Sequence, residues 1–198
     1  GIAKLAMHRL LQPVLHEPHL RLLCHEGEFQ PLLGELVLHK LDAVLADRPA
    51  PPNPALKTTS QLLGTSAIAW YAPARWAQAA RENFPHSLAQ VPVLLPTEHA
   101  AVRARINHWL EREHIRPHIA GEFEDSALLS TFAASGMGVM PAPASLGAHL
   151  EQTCALEWVG TTPDVHEQFH LIYSARKVMH PLLTRLLAAA ADEMLLNK

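Results

Sequence analysis

The sequence predicts an α/β fold in which short strands alternate with amphipathic helices. Apolar runs of roughly five residues recur along the chain, and between them stand helix-length stretches with one apolar face. The 198 residues are 48% hydrophobic, which is enough for one large core or two small ones. No apolar run reaches the roughly 20 residues that a membrane-spanning helix needs, so we expect no membrane partner.

Two helices and two strands are predicted in the first quarter of the chain. Residues 4–15 have the pattern of a helix with a local irregularity at Pro13, and residues 20–24 (LRLLC) have that of a strand. Residues 28–40 follow the i, i+3, i+4, i+7 rule of an amphipathic helix. Residues 42–47 (DAVLAD) are a short apolar strand, bracketed by two aspartates of which the second lies at an exposed end. Such strands between helices are typical of a parallel sheet covered on both faces.

The remaining elements continue the alternation. The proline-rich residues 48–54 (RPAPPNP) predict a stiff, exposed connection, because proline removes backbone donors and forbids a helix. Helices are predicted at residues 75–83 and 99–114 and after Pro181, which suits a first helical turn. Strands are predicted at residues 68–72, 91–95, 118–122, 156–159 and 169–173.

Residues 121–143 predict a strand–helix–strand unit. Asp125 or Ser126 caps the helix, and Gly136 ends it in the left-handed conformation. The chain then enters a strand over residues 138–141. Open α/β sheets bind ligands where such a helix start faces the strand ends, and the amide groups there favour anions. The buried side of the helix is predicted to consist of Leu128, Leu129, Phe132 and Ala133.

The motifs of the chain predict no catalytic residue, no cofactor and no metal site. Residues 16–19 (HEPH) have the wrong histidine spacing for a zinc protease, and their proline breaks the helix that would align the ligands. Ser66 lacks the second glycine of a nucleophile elbow, and no base or acid partner can be named for it. A phosphate loop and a dinucleotide fingerprint are both absent from the sequence. An enzyme is therefore not expected.

Charge and cysteine content indicate a cytoplasmic protein that does not itself contact DNA. The formal net charge is −3, whereas surfaces that bind nucleic acid are usually basic. The chain has two cysteines far apart in sequence, and Cys24 lies in an apolar run where a buried, reduced thiol is expected.

Two stretches resemble a known family, the C-terminal regulatory domains of LysR-type transcriptional regulators. Residues 23–47 (LCHEGEFQPLLGELVLHKLDAVLAD) are similar to its strand–helix–strand, with Glu26 and the Leu41-Asp42 pair at the matching separation. Residues 127–143 (ALLSTFAASGMGVMPAP) are similar to the later helix that ends at Gly-x-Gly before a strand runs into proline. Within the family, HKLDAVLAD and GEFEDSALL most resemble activators of sodium/proton antiporter genes.

This resemblance implies a two-lobed, periplasmic-binding-protein-like fold of type II, with mixed sheets flanked by helices and two crossover segments. Lobe I would hold residues 1–64 and 174–198, and lobe II residues 65–173. The family's N-terminal winged helix-turn-helix is absent from this chain, so DNA would be bound only through that missing domain. A small-molecule or ion effector would bind in the interlobe cleft and shift the arrangement of lobes and oligomer.

Family position places the effector at four strand–helix junctions, where each residue has the alternative of being a solvated turn or cap. Three acidic side chains among them suit a cation, whereas the helix starts favour an anion, and both options stay open. The effector-binding candidates are Glu28, Phe29, Ala46, Asp47, Thr97, Glu98, Ser126 and Ala127.

The resemblance also implies a homodimer or tetramer and leaves one other class of function open. The first helix and the helix that contains Trp109 would form the contact surfaces between subunits, and exposure of Met7, Leu11 or Trp109 would support this. The alternative is a solute-binding protein of a transport system with the same fold. A signal peptide upstream would favour the transport protein, and a winged helix-turn-helix would favour the regulator.

Overall fold

The computed structural model describes residues 2–175 and 179–196, which fall into two compact units. The middle unit comprises Thr65–Glu167 together with Ala3. The terminal unit comprises Ile2, Lys4–Gly64 and the described chain from Gln168 onward. Apart from Ala3, the described chain crosses into the middle unit after Gly64 and back into the terminal unit after Glu167.

Helices and strands alternate through the described residues, as the sequence predicts. Every predicted helix is present, and α6 is an additional one. The helices are α1 (Lys4–Leu11), α2 (Phe29–Val37), α3 (Ala74–Arg81), α4 (Ala101–Arg112), α5 (Ser126–Ala134), α6 (Gly147–Cys154) and α7 (Pro181–Leu196). The strands are β1 (Val44–Ala46), β2 (Thr58–Pro73), β3 (Pro92–Pro96), β4 (His118–Phe123), β5 (Met140–Pro143) and β6 (Leu156–Ser174).

The strands pair in both directions, which confirms the mixed sheets that the resemblance implies, whereas the parallel sheet indicated by the apolar runs is found only in part. β3 and β4 form a parallel pair, and the amide of Val139 extends this sheet by donating to the carbonyl of Pro92. β1 pairs antiparallel with β6, and β2 pairs antiparallel with β5, in the strand order β1-β6-β2-β5. A short apolar run in the sequence indicates a strand that is buried on both faces. It does not indicate whether the neighbouring strand runs parallel or antiparallel to it.

The two longest strands differ most from the predicted elements. The runs predicted at 156–159 and 169–173 belong to the single strand β6, and the run at 68–72 is part of β2. Polar residues fill the middle of β6, where buried and exposed positions largely alternate. That alternation is the signature of a half-buried strand, but the charged residues within it resemble a loop in the sequence.

The predicted strand at residues 20–24 is absent, and the prediction of a buried Cys24 is also wrong. This segment has no regular structure, Leu23 is 72% exposed, and Cys24 is a free, exposed cysteine. A strand is stable only when a neighbour satisfies its backbone groups, and none of the described strands pairs with this segment.

The core of the middle unit is built around an aromatic cluster. Trp70 on β2 is fully buried, and its ring centroid lies 6.1 Å from that of Trp109 on α4. The ring of Phe84 also stacks on Trp109, with 6.4 Å between the two centroids. Trp109 is only 6% exposed, so it does not provide the exposed tryptophan that would support a subunit contact surface on α4.

The core of the terminal unit joins α2 to the paired strands β1 and β6. Leu33 and Leu36 of α2 pack against Val44 and Ala46 of β1 and Ile172 of β6. The leucines follow the predicted helical spacing, and both are almost fully buried.

Helix α5 begins and ends as predicted but buries a narrower face. Gly136 adopts a φ of 98°, which is the left-handed conformation that ends the helix. Leu129 and Ala133 are buried, whereas Leu128 and Phe132 are 48% and 41% exposed. The prediction of a four-residue buried side is therefore wrong for Leu128 and Phe132, because the helix packs only along the i, i+4 stripe formed by Leu129 and Ala133.

Candidate functional site

Two strand–helix junctions of the middle unit meet at one edge of the β3–β4 sheet. β3 and β4 are parallel and in register at their last residues, so their carboxyl ends lie side by side. The amide of Thr97 donates to the carbonyl of Phe123 at 3.0 Å, which holds the turn that carries Thr97 and Glu98. Shortly after β4, α5 begins with Ser126 and Ala127. The structure therefore brings four of the predicted site residues to this edge.

Arg103 on α4 holds the two strand ends together. Its Nη1 donates to the carbonyl oxygen of Pro96 at 2.7 Å and also to the carboxylate of Glu122, while its Nε donates to Asn107 Oδ1 at 2.9 Å. The Arg103 side chain is only 7% exposed. A buried guanidinium requires such partners, so Arg103 acts as a positioning residue for this edge.

The first turn of α5 is fixed by local hydrogen bonds. Asp125 is the N-cap, and its Oδ1 accepts from the amide of Leu128 at 2.7 Å, which confirms the predicted cap. The hydroxyls of Ser130 and Thr131 both donate to the carbonyl of Ala127, at 3.0 and 2.7 Å. The orientation of this turn is thus set before any ligand arrives.

In the terminal unit, Phe29 and Asp47 are brought together through Arg48. Asp47 follows β1 directly, and both of its carboxylate oxygens accept from Arg48, Oδ1 from Nε at 2.8 Å and Oδ2 from Nη2 at 3.3 Å. The guanidinium carbon lies 5.6 Å from the centroid of the Phe29 ring, within the range of a cation–π contact. Ala46, the last residue of β1, belongs to the core on which Phe29 packs.

Asp47 is buried, at 7% exposure, so the expectation of an exposed end of the strand is wrong. Its hydrogen bond raises the pKa of Arg48 above the ordinary value; burial opposes this, and the charge of Asp47 adds to the rise. The Arg48 guanidinium is therefore always charged. Its positive charge neutralises the Asp47 carboxylate, and this pairing offsets the cost of burying that carboxylate away from water. Glu28, by contrast, is an exposed N-cap of α2 whose side chain makes no capping hydrogen bond.

The eight predicted positions thus form two local groups, four in each unit. Glu28, Phe29, Ala46 and Asp47 belong to the terminal unit, and Thr97, Glu98, Ser126 and Ala127 belong to the middle unit. Each group stands where a strand ends and a helix or loop begins.

Two residues of these junctions, Arg48 and Arg103, were not predicted from the sequence. Arg103 lies on the same helical stripe as Ile106 and Leu110, and an arginine on an apolar stripe is a signal of a buried, partnered cation. Arg48 carries no comparable signal, because a charged residue before a proline-rich loop is usually solvated.

Within residues 2–175 and 179–196, the structure gives no support for a membrane-spanning helix or for a metal site. None of the helices described there is both long and apolar enough to cross a membrane. Nor do the histidine, cysteine and carboxylate side chains of those ranges gather into a group of three that suits a metal ion.

Comparison with known proteins gives one family and several relatives. Residues 3–195 match the family model described as LysR substrate binding domain. The chain is 26% identical over 193 residues to the transcriptional activator protein NhaR of Escherichia coli strain K12. That similarity covers 94% of this chain but 62% of NhaR, so the chain spans less than two thirds of this relative.

Solved structures share the fold. The reduced form of the regulatory domain of OxyR2 from Vibrio vulnificus matches with a TM-score of 0.71 at 17% identity, over 94% of this chain and 88% of that one. The BenM effector binding domain with its effector benzoate matches with a TM-score of 0.69 at 16% identity, over 100% of this chain and 87% of that one. At such identities the likeness establishes the architecture alone.

Proposed function

Because this chain belongs to the family of LysR substrate-binding domains, we propose that it is the effector-sensing regulatory domain of a longer, cytoplasmic transcriptional regulator. The observation that carries the proposal is the family match over residues 3–195. The name of NhaR as a transcriptional activator favours a regulator over the transport alternative. DNA binding would reside in a separate segment, and the regulator would act as a dimer or tetramer.

In this proposal the ligand binds without a covalent bond, and it acts because its affinity differs between two conformations of the regulator. The candidate contacts of a small molecule or ion are the junction residues Glu28, Phe29, Ala46 and Asp47 of the terminal unit, and Thr97, Glu98, Ser126 and Ala127 of the middle unit. A ligand that prefers one of two conformations shifts their populations in proportion to that preference. The fixed first turn of α5 and the Arg103 contacts support this role, because a preorganised site loses less entropy on binding.

A ligand screen tests the proposal. We expect at least one compound among small organic acids, amines and inorganic ions to raise the melting temperature of the purified 198-residue chain in a saturable way. Ser126→Ala removes a hydroxyl at the α5 start and is expected to weaken that binding about tenfold. Ser135→Ala, at the other end of α5, is the matched control and leaves the affinity unchanged. A screen without any saturable ligand would contradict the proposal, as would equal losses in both variants.

The chain alone is not expected to bind DNA. Its formal net charge is −3, whereas proteins that bind nucleic acid through their own surface usually carry an excess of basic residues to displace counterions from phosphates. In a gel-shift titration at about 50 mM salt, we expect no complex with duplexes of any sequence. Tight binding that weakens steeply as salt rises to about 200 mM would show that this chain contains its own DNA-contacting surface.

A further inference from the structure

A cavity of about 230 Å³ lies at the amino end of β1, in the terminal unit. Asp42, in the loop between α2 and β1, is one of its lining residues. β6 runs antiparallel to β1 with Ile172 opposite Val44, so Tyr173 and Ser174 reach the same end of β1 and line the cavity as well. The start of α7 provides the third segment of its wall, and none of the eight junction residues lines it.

Asp42 gives this cavity a negative charge. With histidine neutral, Asp42 is the one formally charged side chain among the described residues that line it. Asp42 is exposed, and within residues 2–175 and 179–196 its carboxylate has no hydrogen-bond or ion-pair partner. The hydroxyls of Tyr173 and Ser174 likewise make no hydrogen bond within those ranges. A carboxylate only accepts hydrogen bonds, so it selects a ligand that donates, and a cationic donor forms the stronger bond.

The first amides of α7 are already bonded, so this helix start does not favour an anion. Pro181 has no N–H. The amide of Leu182 donates to Nδ1 of His180 at 3.2 Å. The amides of Leu183 and Thr184 donate to the His180 carbonyl, at 2.9 and 3.3 Å. His180 thereby occupies the amide groups that would otherwise hold an anion at the end of a helix.

Apolar side chains form much of the remaining wall. Leu41 comes from the loop before β1 and packs on the core of the terminal unit, whereas Pro181 and Leu183 come from α7. The ring of Tyr173 is an aromatic surface of the kind that attracts an organic cation. Typical ligand pockets measure roughly 300–1,000 Å³, so we expect a ligand that is smaller than a drug-sized molecule and has an apolar body.

We propose that this cavity is a second binding site and that its ligand is a small organic amine. The ammonium group pairs with Asp42, and the apolar body of the amine lies against Leu41 and Leu183. The proposal does not rest on the proposed function, because the residues that carry it are separate from the junction residues. It gives Asp42, which the sequence marks only as part of a family motif, a role in binding.

Probes with one ring and different charges test the ligand class. In a titration followed by ¹H–¹⁵N NMR at constant pH and ionic strength, we expect benzylamine hydrochloride to shift the amide signals of Leu41, Asp42, Tyr173 and Ser174 saturably. Neutral benzyl alcohol is expected to bind at these signals about tenfold more weakly or less, and sodium benzoate to leave them in place. No saturable shift with benzylamine, or equal affinity of benzyl alcohol or benzoate at these signals, would overturn the proposal.

A variant of Asp42 tests the residue. Asp42→Asn removes the charge and is expected to weaken benzylamine binding by about tenfold or more. Because Asp42 is exposed and unpaired within the described residues, we expect the variant to keep the melting temperature of the parent chain. The matched control is Glu35→Gln, which removes an exposed carboxylate of α2 outside the cavity and leaves the affinity unchanged. Benzylamine affinity within about threefold of the parent chain in Asp42→Asn would overturn the assignment.

Ser126→Ala separates this cavity from the junction residues. We expect it to leave benzylamine affinity unchanged, since Ser126 belongs to the middle unit. Loss of benzylamine binding in Ser126→Ala but not in Asp42→Asn would place the amine at the junction residues. That result would overturn the second site and leave the proposed function intact.

Discussion

Replacement of Trp70 by alanine is expected to lower the free energy of unfolding by about 3–5 kcal/mol. The indole of Trp70 is fully buried at the centre of the middle unit, against Trp109. Its Nε1 donates to the hydroxyl of Thr162 at 2.9 Å, and Thr162 is itself 1% exposed. The substitution leaves a large cavity and removes the donor to the buried hydroxyl of Thr162. Both effects lower the free energy of unfolding.

The matched control is Trp158→Ala. Trp158 lies on β6 with 47% of its surface exposed, and its indole donates to Thr161 at 3.3 Å. Because no closed cavity forms there, we expect a loss of about 1 kcal/mol or less. Urea unfolding followed by circular dichroism compares the two variants without relying on tryptophan fluorescence. Equal midpoints for Trp70→Ala and Trp158→Ala would contradict the placement of Trp70 in the core.

Gly138→Ala is the second change for which we expect a large loss, about 2–4 kcal/mol. A Cβ on Gly138 would stand 2.6 Å from the carbonyl oxygen of Pro92, closer than such atoms approach. The amide of Val139 donates to this same oxygen at 2.8 Å, and the amide of Leu94 donates to the Val139 carbonyl at 2.8 Å. The obstacle is backbone held by hydrogen bonds, so relief of the clash requires those bonds to lengthen.

Gly64→Ala controls for the loss of glycine itself. A Cβ at Gly64 meets no atom within 4 Å, and its φ lies outside the left-handed region. Alanine restricts the unfolded chain, so stability is expected to stay the same or to rise by up to about 1 kcal/mol. If Gly138→Ala unfolded at the same urea concentration as Gly64→Ala, the close approach of Gly138 to Pro92 would be ruled out.

The fold class and the family were predictable because their signals are local. The α2 spacing, the Asp125 cap and the Gly136 terminus each act within a few residues, and the structure contains all of them. The order of such signals along the chain carried the resemblance to LysR-type regulatory domains. The family match over residues 3–195 confirms that recognition, and the likeness to solved regulatory domains confirms the two-lobed α/β fold class.

The strand ends that carry the candidate residues were predictable from the sequence, whereas the side-chain partners of those residues were not. The strand ends at Ala46 and Pro96 position the turns that hold candidate residues, and both ends follow from apolar runs in the sequence. The side-chain partners depend on the packing of separate segments, as when Arg103 of α4 reaches the ends of both β3 and β4. The roles of the eight positions in effector binding stay predictions.

By itself, the sequence determined the alternation of helices and strands, the caps and turns, and the family. Tertiary structure alone decided which strands pair, in which direction and over what length. As a result, residues 21–24 are exposed and unpaired with any described strand, while β6 continues through a polar stretch. It also buried Asp47 and left Arg48 half-exposed. The physical reason is that periodicity and capping arise from neighbours along the chain. Strand pairing and the neutralisation of a buried charge arise from groups that only the folded chain brings into place.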